Sequence, residues 1–406
     1  MAEYEDREHY IPLRKSDLVA LLLSDKKLPY EQREDFKQFC KLISAVFHFE
    51  YLERLERLKD DFAPFDPDSQ TRPLKPLNLD QREKKLEELF AEFRSLMERA
   101  NFKRLTEDDV KAATEGGASD WGINMEVDFN VFERLELFMR AEGKSTRIKK
   151  HPIFFWKKTE KKVDSYGRLV LMLKLRPHKR LGPNANTQAV YFKLFKDIPK
   201  LVLEMILPGA RLQMPKGQKG KLGASLLGTI GYGIYKVWFD IITAAKMAVG
   251  GALTFAGQAA LGPLVLLGGY GYKQYAGYQI TKQTYSKMLT ESLYYQNLDN
   301  NAGVLTQLLD EAEEQECREA ILAYFCLLEH APPQGWTAPM LDDYVEMYLE
   351  GNANLKVDFE IGDALDKVER LGVVEKHGEF YKAVPLATAL ERLDYRWDNY
   401  FQYNKA

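Results

Sequence analysis

The sequence has few of the features that would identify an enzyme or a metalloprotein. Its three cysteines, Cys40, Cys317 and Cys326, form no CxxC pair, which fits a reducing compartment. No HExxH, GxSxG or P-loop GK[ST] motif occurs, and the six histidines are scattered along the chain. The sequence therefore predicts no catalytic residue, no metal site and no cofactor.

The N-terminus also lacks an apolar segment of the kind that directs secretion. Its first ten residues, MAEYEDREHY, are acidic. They resemble neither a secretory signal nor an Arg-rich transit peptide. Any membrane insertion is therefore expected to depend on an internal segment.

Charge is distributed unevenly. The chain has 406 residues and a net charge of -3, but residues 140–221 contain 21 Lys or Arg against 5 Asp or Glu. This window has a net charge of +16, so the rest of the chain carries -19. Apolar residues make up 45% and charged residues 29%, which is typical of folded chains of two to four compact units.

Two adjacent apolar segments predict a transmembrane helical hairpin over residues 222–272. Residues 248–272 contain no charge, and residues 222–243 are apolar apart from Lys236 and Asp240. A transmembrane helix needs about 20 such residues. The alternative is a buried hairpin in a soluble core. Lysines flank both outer ends, so the positive-inside rule predicts that both large soluble parts face the cytoplasm or the mitochondrial matrix.

Lys236 and Asp240 form the candidate membrane polar pair. They are four residues apart and so lie on one helix face. Three interpretations stay open: the pair neutralises itself within one helix, it forms a contact between protomers, or it lines a polar path. The many glycines of this region favour close helix packing and a homo-oligomer.

The remaining chain divides into four regions. Residues 1–115 show helical periodicity, with an apolar stripe from Phe36 to Leu58 and a second amphipathic helix over about residues 80–100. Residues 123–215 are rich in strand-forming and basic residues, and the alternation is clearest from Leu169 to Leu175. Residues 273–303 read as a linking helix and a junction, and residues 304–406 as a helical, winged-helix-like domain. The predicted fold class is a multidomain membrane protein with an α-helical N-terminal region, a small α+β domain, a two-helix transmembrane hairpin and a C-terminal winged-helix-like domain.

Aromatic and basic residues alternate in one segment of the α+β domain, residues 147–162. This pattern suits contact with anionic lipid, which is favoured by the nearby hairpin. A solvated basic surface and a nucleic-acid site are the alternatives. The candidate lipid-contact residues are Lys149, Lys150, Phe154, Phe155, Trp156, Lys157, Lys158, Lys161 and Lys162.

The winged-helix-like domain has the wrong charge for DNA. A helix is predicted over residues 361–371, followed by a hairpin that turns at His377 and Gly378. Residues 331–406 carry 14 acidic against 8 basic side chains, whereas DNA-binding modules are basic. Nucleic acid is therefore an improbable partner, and a protein partner is predicted instead.

Four stretches carry a resemblance to a known family: REHYIPLRKSDLVALLL, FCKLISAVFHFEYLERLERLKDDFAPFDPD, YFKLFKDIPKLVLEMILPGARLQM and LYYQNLDNNAGVLTQLLDEAEEQECREAILAYF. They resemble the transmembrane protein 143 family, which is defined by domain of unknown function 3754. The resemblance implies a two-span membrane protein without an established activity. It supplies no functional residues. The missing transit peptide predicts the bacterial inner membrane rather than the mitochondrial one.

The sequence as a whole predicts an anchored protein that acts as an oligomeric scaffold or regulatory assembly and not as an enzyme. The alternative is an oligomeric pore or a lipid-handling transport protein that uses the face of Lys236 and Asp240. Anionic membrane lipids, further copies of the chain and a protein bound at the winged-helix-like domain are the predicted partners.

Overall fold

The computed structural model of the chain has a mixed α/β fold in which helices from both ends of the sequence pack on one antiparallel sheet. The structure describes residues 9–110, 124–150, 158–200, 203, 206–213, 283, 290 and 295–401.

The N-terminal region forms three helices: α1 (Lys15–Leu23), α2 (Arg33–Phe62) and α3 (Leu79–Arg99). The long helix α2 forms because its apolar residues recur every three or four positions and so share one face. Asn78 starts α3 with a capping box, in which its side chain accepts from the backbone of Gln81 and the side chain of Gln81 accepts from the backbone of Asn78. The helices predicted in this region are confirmed. The buried residues of α2 are Phe36, Phe39, Cys40, Ile43, Val46, Phe47, Tyr51, Leu58 and Phe62.

A five-stranded antiparallel sheet follows, with the order β1-β3-β4-β5-β7. Its two long central strands form a hairpin. A separate antiparallel pair joins β2 (Asn124–Glu126) to β6 (Arg211–Gln213). The strands of the main sheet are β1 (Lys103–Leu105), β3 (Phe132–Lys150), β4 (Lys158–Leu175), β5 (Val190–Pro199) and β7 (Asn297–Asn300).

Both faces of the main sheet are apolar because apolar residues occupy successive positions of β4. Leu169, Leu171 and Leu173 contribute to one buried cluster. Val170 and Met172, which alternate with them, belong to the larger core that the helices share. The predicted alternation in β4 is confirmed, and it continues on both faces because the sheet is covered on both.

The C-terminal unit begins with α4 (Ala302–Glu329), the helix at the centre of the molecule. Phe39 of α2 stacks on Tyr324 of α4 with ring centroids 4.1 Å apart. On the other side, α4 packs against β5 and β7 of the sheet. The N-terminal helices and the C-terminal unit therefore share one hydrophobic core.

After α4 the chain forms a small three-stranded sheet, β8-β10-β9, with three helices around it. The predicted helix over residues 361–371 and the predicted hairpin at His377 and Gly378 are confirmed. Gly378 makes the turn with a φ of +66°, a conformation that suits glycine. The elements are β8 (Trp336–Thr337), α5 (Ala338–Ala353), α6 (Ile361–Arg370), β9 (Val374–His377), β10 (Phe380–Ala383) and α7 (Leu386–Asp398).

The structure does not support the transmembrane hairpin of the predicted fold class. Among the helices of the described residues, none is both long enough and apolar enough to cross a membrane. The longest, α2 and α4, have sufficient length, but charged residues interrupt both. The predicted hairpin, residues 222–272, lies outside the described residues. A high hydropathy shows that a segment is unfavourable in water, but it does not show whether lipid or protein buries that segment.

Candidate functional site

The central helix α4 buries several charged side chains. Glu313, Glu316, Arg318 and Glu319 are at most 8% exposed. A buried charge costs several kcal/mol unless it is paired and hydrogen-bonded. The partners come from α2, α3, α6 and the segment that precedes α1, so these charges connect parts of the chain that are distant in sequence.

Lys367 of α6 lies at the centre of what we call the buried ion network, which consists of Lys367, Glu316, Glu319, Asp363 and Arg99. The Nζ atom of Lys367 is 2.8 Å from Glu319 Oε2, 3.7 Å from Glu316 Oε1 and 2.5 Å from Asp363 Oδ2. Arg99 Nη1 of α3 lies 3.0 Å from Glu316 Oε1. Two cations thus face three carboxylates.

Electrostatics keep Lys367 protonated. Burial lowers the pKa of Lys367, but the attraction of Glu319, Glu316 and Asp363 outweighs burial and raises the pKa above its ordinary value. Burial raises the pKa of Glu319, and the nearby Lys367 opposes this effect. A lysine with a raised pKa is a poor nucleophile and a poor general base. The buried ion network therefore fixes the position of α6 rather than transferring protons.

The segment before α1 crosses α4 and is fixed by two arginines. The guanidinium of Arg140 lies 4.0 Å from the ring centroid of Tyr10, and that of Arg318 lies 5.2 Å from it. Arg318 Nη1 also donates to the Leu13 carbonyl oxygen at 2.8 Å. Asn101 holds the His9 carbonyl oxygen at 2.6 Å. These contacts place His9 between α3 and the start of α6.

An open cleft of about 590 Å³ lies beside His9, where the ends of α3 and α6 meet. Its wall carries both signs of charge. Part of the buried ion network, Arg99 and Asp363, reaches the cleft. The lining residues are His9, Ser95, Glu98, Arg99, Asn101, Phe102, Lys103, Glu360 and Asp363.

The acidic side of this cleft continues onto α5 as a group that we call the acidic cluster, formed by Asp342, Asp343, Glu346, Asp358 and Glu360. His9 Nδ1 is 3.5 Å from Asp358 Oδ2 and 3.3 Å from Glu360 Oε1. Asp342 is 8% exposed, and its buried Oδ1 atom has no hydrogen-bond partner. An unsatisfied buried oxygen is costly, and native structures retain few of them.

The acidic cluster raises the pKa of Asp342. Burial is the largest cause, and repulsion from Glu346, Asp358, Asp343 and Glu360 adds to it, so the pKa of this carboxyl rises to about 6. At neutral pH the group is still ionised. A carboxylate held against four others has a strong tendency to accept a cation.

Two predicted site groups lie wholly or partly outside the described residues. Lys236 and Asp240 lie outside, and so do Phe154, Phe155, Trp156 and Lys157. The remaining predicted lysines belong to the strands β3 and β4, where Lys150 is paired in register with Lys158. Residues 144–150 of β3 pair with residues 158–164 of β4. Among the described pairings these two segments have no other strand partner, because the pairing of β3 with β1 ends at Met139 and the pairing of β4 with β5 ends at Ser165. We call this part of the hairpin the basic ribbon; it contains Lys149, Lys150, Lys158, Lys161 and Lys162.

Sequence reasoning missed both the buried ion network and the acidic cluster. One signal was present, because Glu313, Glu316 and Glu319 recur every three residues within an apolar helix. Such spacing places carboxylates on one side of a helix that must be buried. The acidic cluster has no comparable signal, since its carboxylates come from α5 and from the loop that follows it.

Residues 133–303 match a family described as a protein of unknown function, DUF3754. No solved structure matches the chain. The match starts in β3 and ends at the beginning of α4, so it covers the main sheet beyond β1 and leaves out the acidic cluster. The match to this domain of unknown function therefore falls on the part of the chain that forms most of its main sheet.

Proposed function

We propose that this protein is a scaffold or regulatory component whose C-terminal unit binds a basic segment of a protein partner at the acidic cluster. The observation that carries the proposal is Asp342. Its side chain is 8% exposed, one of its oxygens has no hydrogen-bond partner, and four carboxylates act on it. A lysine or arginine side chain inserted there would satisfy the oxygen and neutralise the surrounding charge.

The position of α6 supports a protein partner over DNA. In a winged helix the corresponding helix enters the major groove and needs free basic side chains. Here Lys367 is buried among carboxylates, and Arg370 makes two hydrogen bonds to Glu50, at 2.7 and 2.8 Å. Asp366 and Glu369 are exposed instead. This surface repels phosphates.

The expected cation belongs to a side chain rather than to a metal. Within the described ranges, no group of three or more His, Cys, Asp or Glu side chains is placed to hold a metal ion. The carboxylates of the acidic cluster are spread over α5 and the loop that follows it. A peptide with several basic residues matches such a spread better than a single ion does.

We also propose that the chain is related to the transmembrane protein 143 family, a relationship that supplies no activity. Its support is the set of four stretches quoted above. The alternative of a pore or a lipid-handling protein depends on Lys236 and Asp240, which lie outside the described residues. The acidic cluster supports the proposed scaffold function.

The test is a binding titration with the full chain at neutral pH. The probe is a short fluorescein-labelled peptide of alternating lysine and serine, followed by fluorescence anisotropy. We expect the double variant Asp342→Asn/Asp343→Asn to weaken binding about tenfold, since each exposed charge pair contributes up to about 1 kcal/mol and about 1.4 kcal/mol is a factor of ten.

The matched control is Asp366→Asn/Glu369→Gln, which removes the same charge from an exposed face of α6 outside the acidic cluster. It should change the affinity less than twofold. A peptide of alternating glutamate and serine should not bind. Equal losses in both double variants would show that only net charge matters, and they would refute a site at Asp342.

A further inference from the structure

The cleft where the ends of α3 and α6 meet carries charges of both signs on different elements. Arg99, the last residue of α3, and Lys103, the first residue of β1, supply its cations. Glu360 and Asp363, at the start of α6, supply two carboxylates, and Glu98 of α3 supplies a third. The wall formed by α3 and β1 therefore holds both cations, and the wall formed by α6 holds only carboxylates.

We propose that this cleft binds a small zwitterion with a free amino group and a free carboxyl group. The carboxylate of the ligand contacts Arg99 and Lys103, and its ammonium group contacts Glu360 and Asp363. The volume of about 590 Å³ falls within the range of about 300–1,000 Å³ that is usual for small-molecule sites. A free amino acid and a short peptide both have this chemistry. The site does not depend on the proposed function, although Glu360 borders both.

The cationic wall has hydrogen-bonding capacity that the chain does not use. Arg99 Nη1 lies 3.0 Å from Glu316 Oε1, while the side chain of Arg99 is 35% exposed and its Nε atom has no hydrogen-bond partner. Glu316 therefore engages only part of this guanidinium, which has five N–H donors in a geometry that suits carboxylates. Lys103 is exposed, and among the described residues it has no ion-pair partner. A ligand carboxylate can thus bind here without displacing Glu316.

The carboxylates of the opposite wall are held in place through one oxygen each. Asp363 Oδ2 is 2.5 Å from Lys367 Nζ, and Glu360 Oε1 is 3.3 Å from His9 Nδ1. Both acidic side chains are 46% exposed. A carboxylate has a second oxygen, and an ammonium group has three donors that can be shared between two carboxylates. The start of α6 is therefore suited to receive the ammonium end of the ligand.

The chain itself fixes the walls of the cleft. Phe102 is 5% exposed and supplies an apolar part of the lining, and Asn101 Nδ2 donates to the His9 carbonyl oxygen at 2.6 Å. Groups that are already in place lose little conformational freedom when a ligand binds. A zwitterion held by both walls would connect α3 with α6, the two helices that the buried ion network also links to α4.

The experiment is a calorimetric titration of the full chain at neutral pH with triglycine. Two blocked forms serve as matched probes: N-acetyl-triglycine lacks the ammonium group, and triglycine amide lacks the carboxylate. We expect triglycine to bind and each blocked form to bind at least about tenfold more weakly, since each loses its charge-assisted contacts with one wall. Glycine separates the two sources of this chemistry: weaker binding than triglycine indicates a short peptide, and equal binding indicates a free amino acid.

Variants assign the two ends of the ligand. Lys103→Met should weaken triglycine binding about fivefold and leave triglycine amide unaffected, because the amide has no carboxylate to lose. Asp363→Asn should weaken triglycine and leave N-acetyl-triglycine unaffected. Glu360→Gln replaces it if Asp363→Asn does not fold, as judged by circular dichroism. The matched control is Lys84→Met, an exposed lysine about 22 Å from Arg99 along α3, which should change each affinity less than about twofold.

Three outcomes would overturn the inference: no binding of triglycine, equal binding of triglycine and its blocked forms, or equal losses in Lys84→Met and Lys103→Met. None of them bears on the proposed function, which is measured with the lysine–serine peptide. The double variant Asp342→Asn/Asp343→Asn should leave triglycine binding unchanged. If it abolished binding of triglycine as well as of the lysine–serine peptide, the cleft and the acidic cluster would be one site, and the inference of a separate zwitterion site would be wrong.

Discussion

The buried ion network and the acidic cluster lie side by side in the C-terminal unit, and both are built from carboxylates. In the network, Glu316 and Glu319 are buried with Lys367 and Arg99 beside them. In the cluster, Asp342 is almost as buried, but the charges around it are mainly negative. The difference lies in what surrounds each buried carboxylate: cations lie beside Glu316 and Glu319, whereas the charges that act on Asp342 are those of other carboxylates.

The largest effect is expected where a buried pair is broken. Lys367→Met should lower the free energy of unfolding by about 3–5 kcal/mol, because Glu319 stays buried without its cation. Urea denaturation at neutral pH measures the loss. The double variant Lys367→Met/Glu319→Gln should recover part of it, since the stranded charge is then gone. A loss below about 1 kcal/mol in the single variant would place Lys367 among ordinary surface ion pairs.

In the acidic cluster, a substitution is expected to raise the free energy of unfolding rather than lower it. The folded-state pKa of Asp342, about 6, is above its ordinary value of 3.8. The folded protein therefore binds this proton more tightly than the unfolded chain does. Protonation stabilises the fold, and the contribution is lost as the pH rises from about 4 through about 6. Glu346, Asp358, Asp343 and Glu360 act on this group, and His9 contacts Asp358 and Glu360.

Asp342→Asn should accordingly raise the free energy of unfolding at neutral pH by at most about 3 kcal/mol and have little effect near pH 4. Thermal unfolding across this pH range, compared with the parent, measures the difference. Asp366→Asn, an exposed acidic residue of α6, should stay within about 0.5 kcal/mol of the parent at each pH. A destabilised Asp342→Asn variant at neutral pH would mean that the cluster is already neutralised within the chain.

The smallest effect is expected for an ion pair at the surface. Arg392 Nη2 lies 2.8 Å from Glu375 Oε1, and both side chains are more than 40% exposed. Arg392→Met should lower the free energy of unfolding far less than Lys367→Met does, since water screens the pair. Urea denaturation under the same conditions provides the measurement. A cost similar to that of Lys367→Met would remove burial as the explanation for the difference between the two regions.

Local patterns in the sequence predicted most of the elements correctly. The stripe from Phe36 to Leu58 predicted α2, and the alternation from Leu169 to Leu175 predicted β4. His377 and Gly378 marked the turn between β9 and β10. Each of these signals lies within a few residues of the element it predicts, and each reflects a fixed backbone period or a conformation that suits glycine.

Such local patterns could not predict the candidate site. Asp342 and Glu360 are separated in sequence by the rest of α5 and a loop, and His9 reaches them from the other end of the chain. The membrane prediction failed for a related reason. It rested on the hydropathy of residues 222–272, which lie outside the described residues, and no helix of the described ranges is long and apolar enough to span a membrane.

The sequence by itself determined the helices and strands and the uneven distribution of charge, because backbone periods and net charge are properties of neighbouring residues. Only the tertiary structure decided which charges are neutralised. Lys367 meets Glu319 across 48 positions of the chain, and Arg318 meets Tyr10 across 308. The cost of a buried charge depends on the distance to its counter-charge and on the water excluded between them, and both are fixed when distant helices pack together.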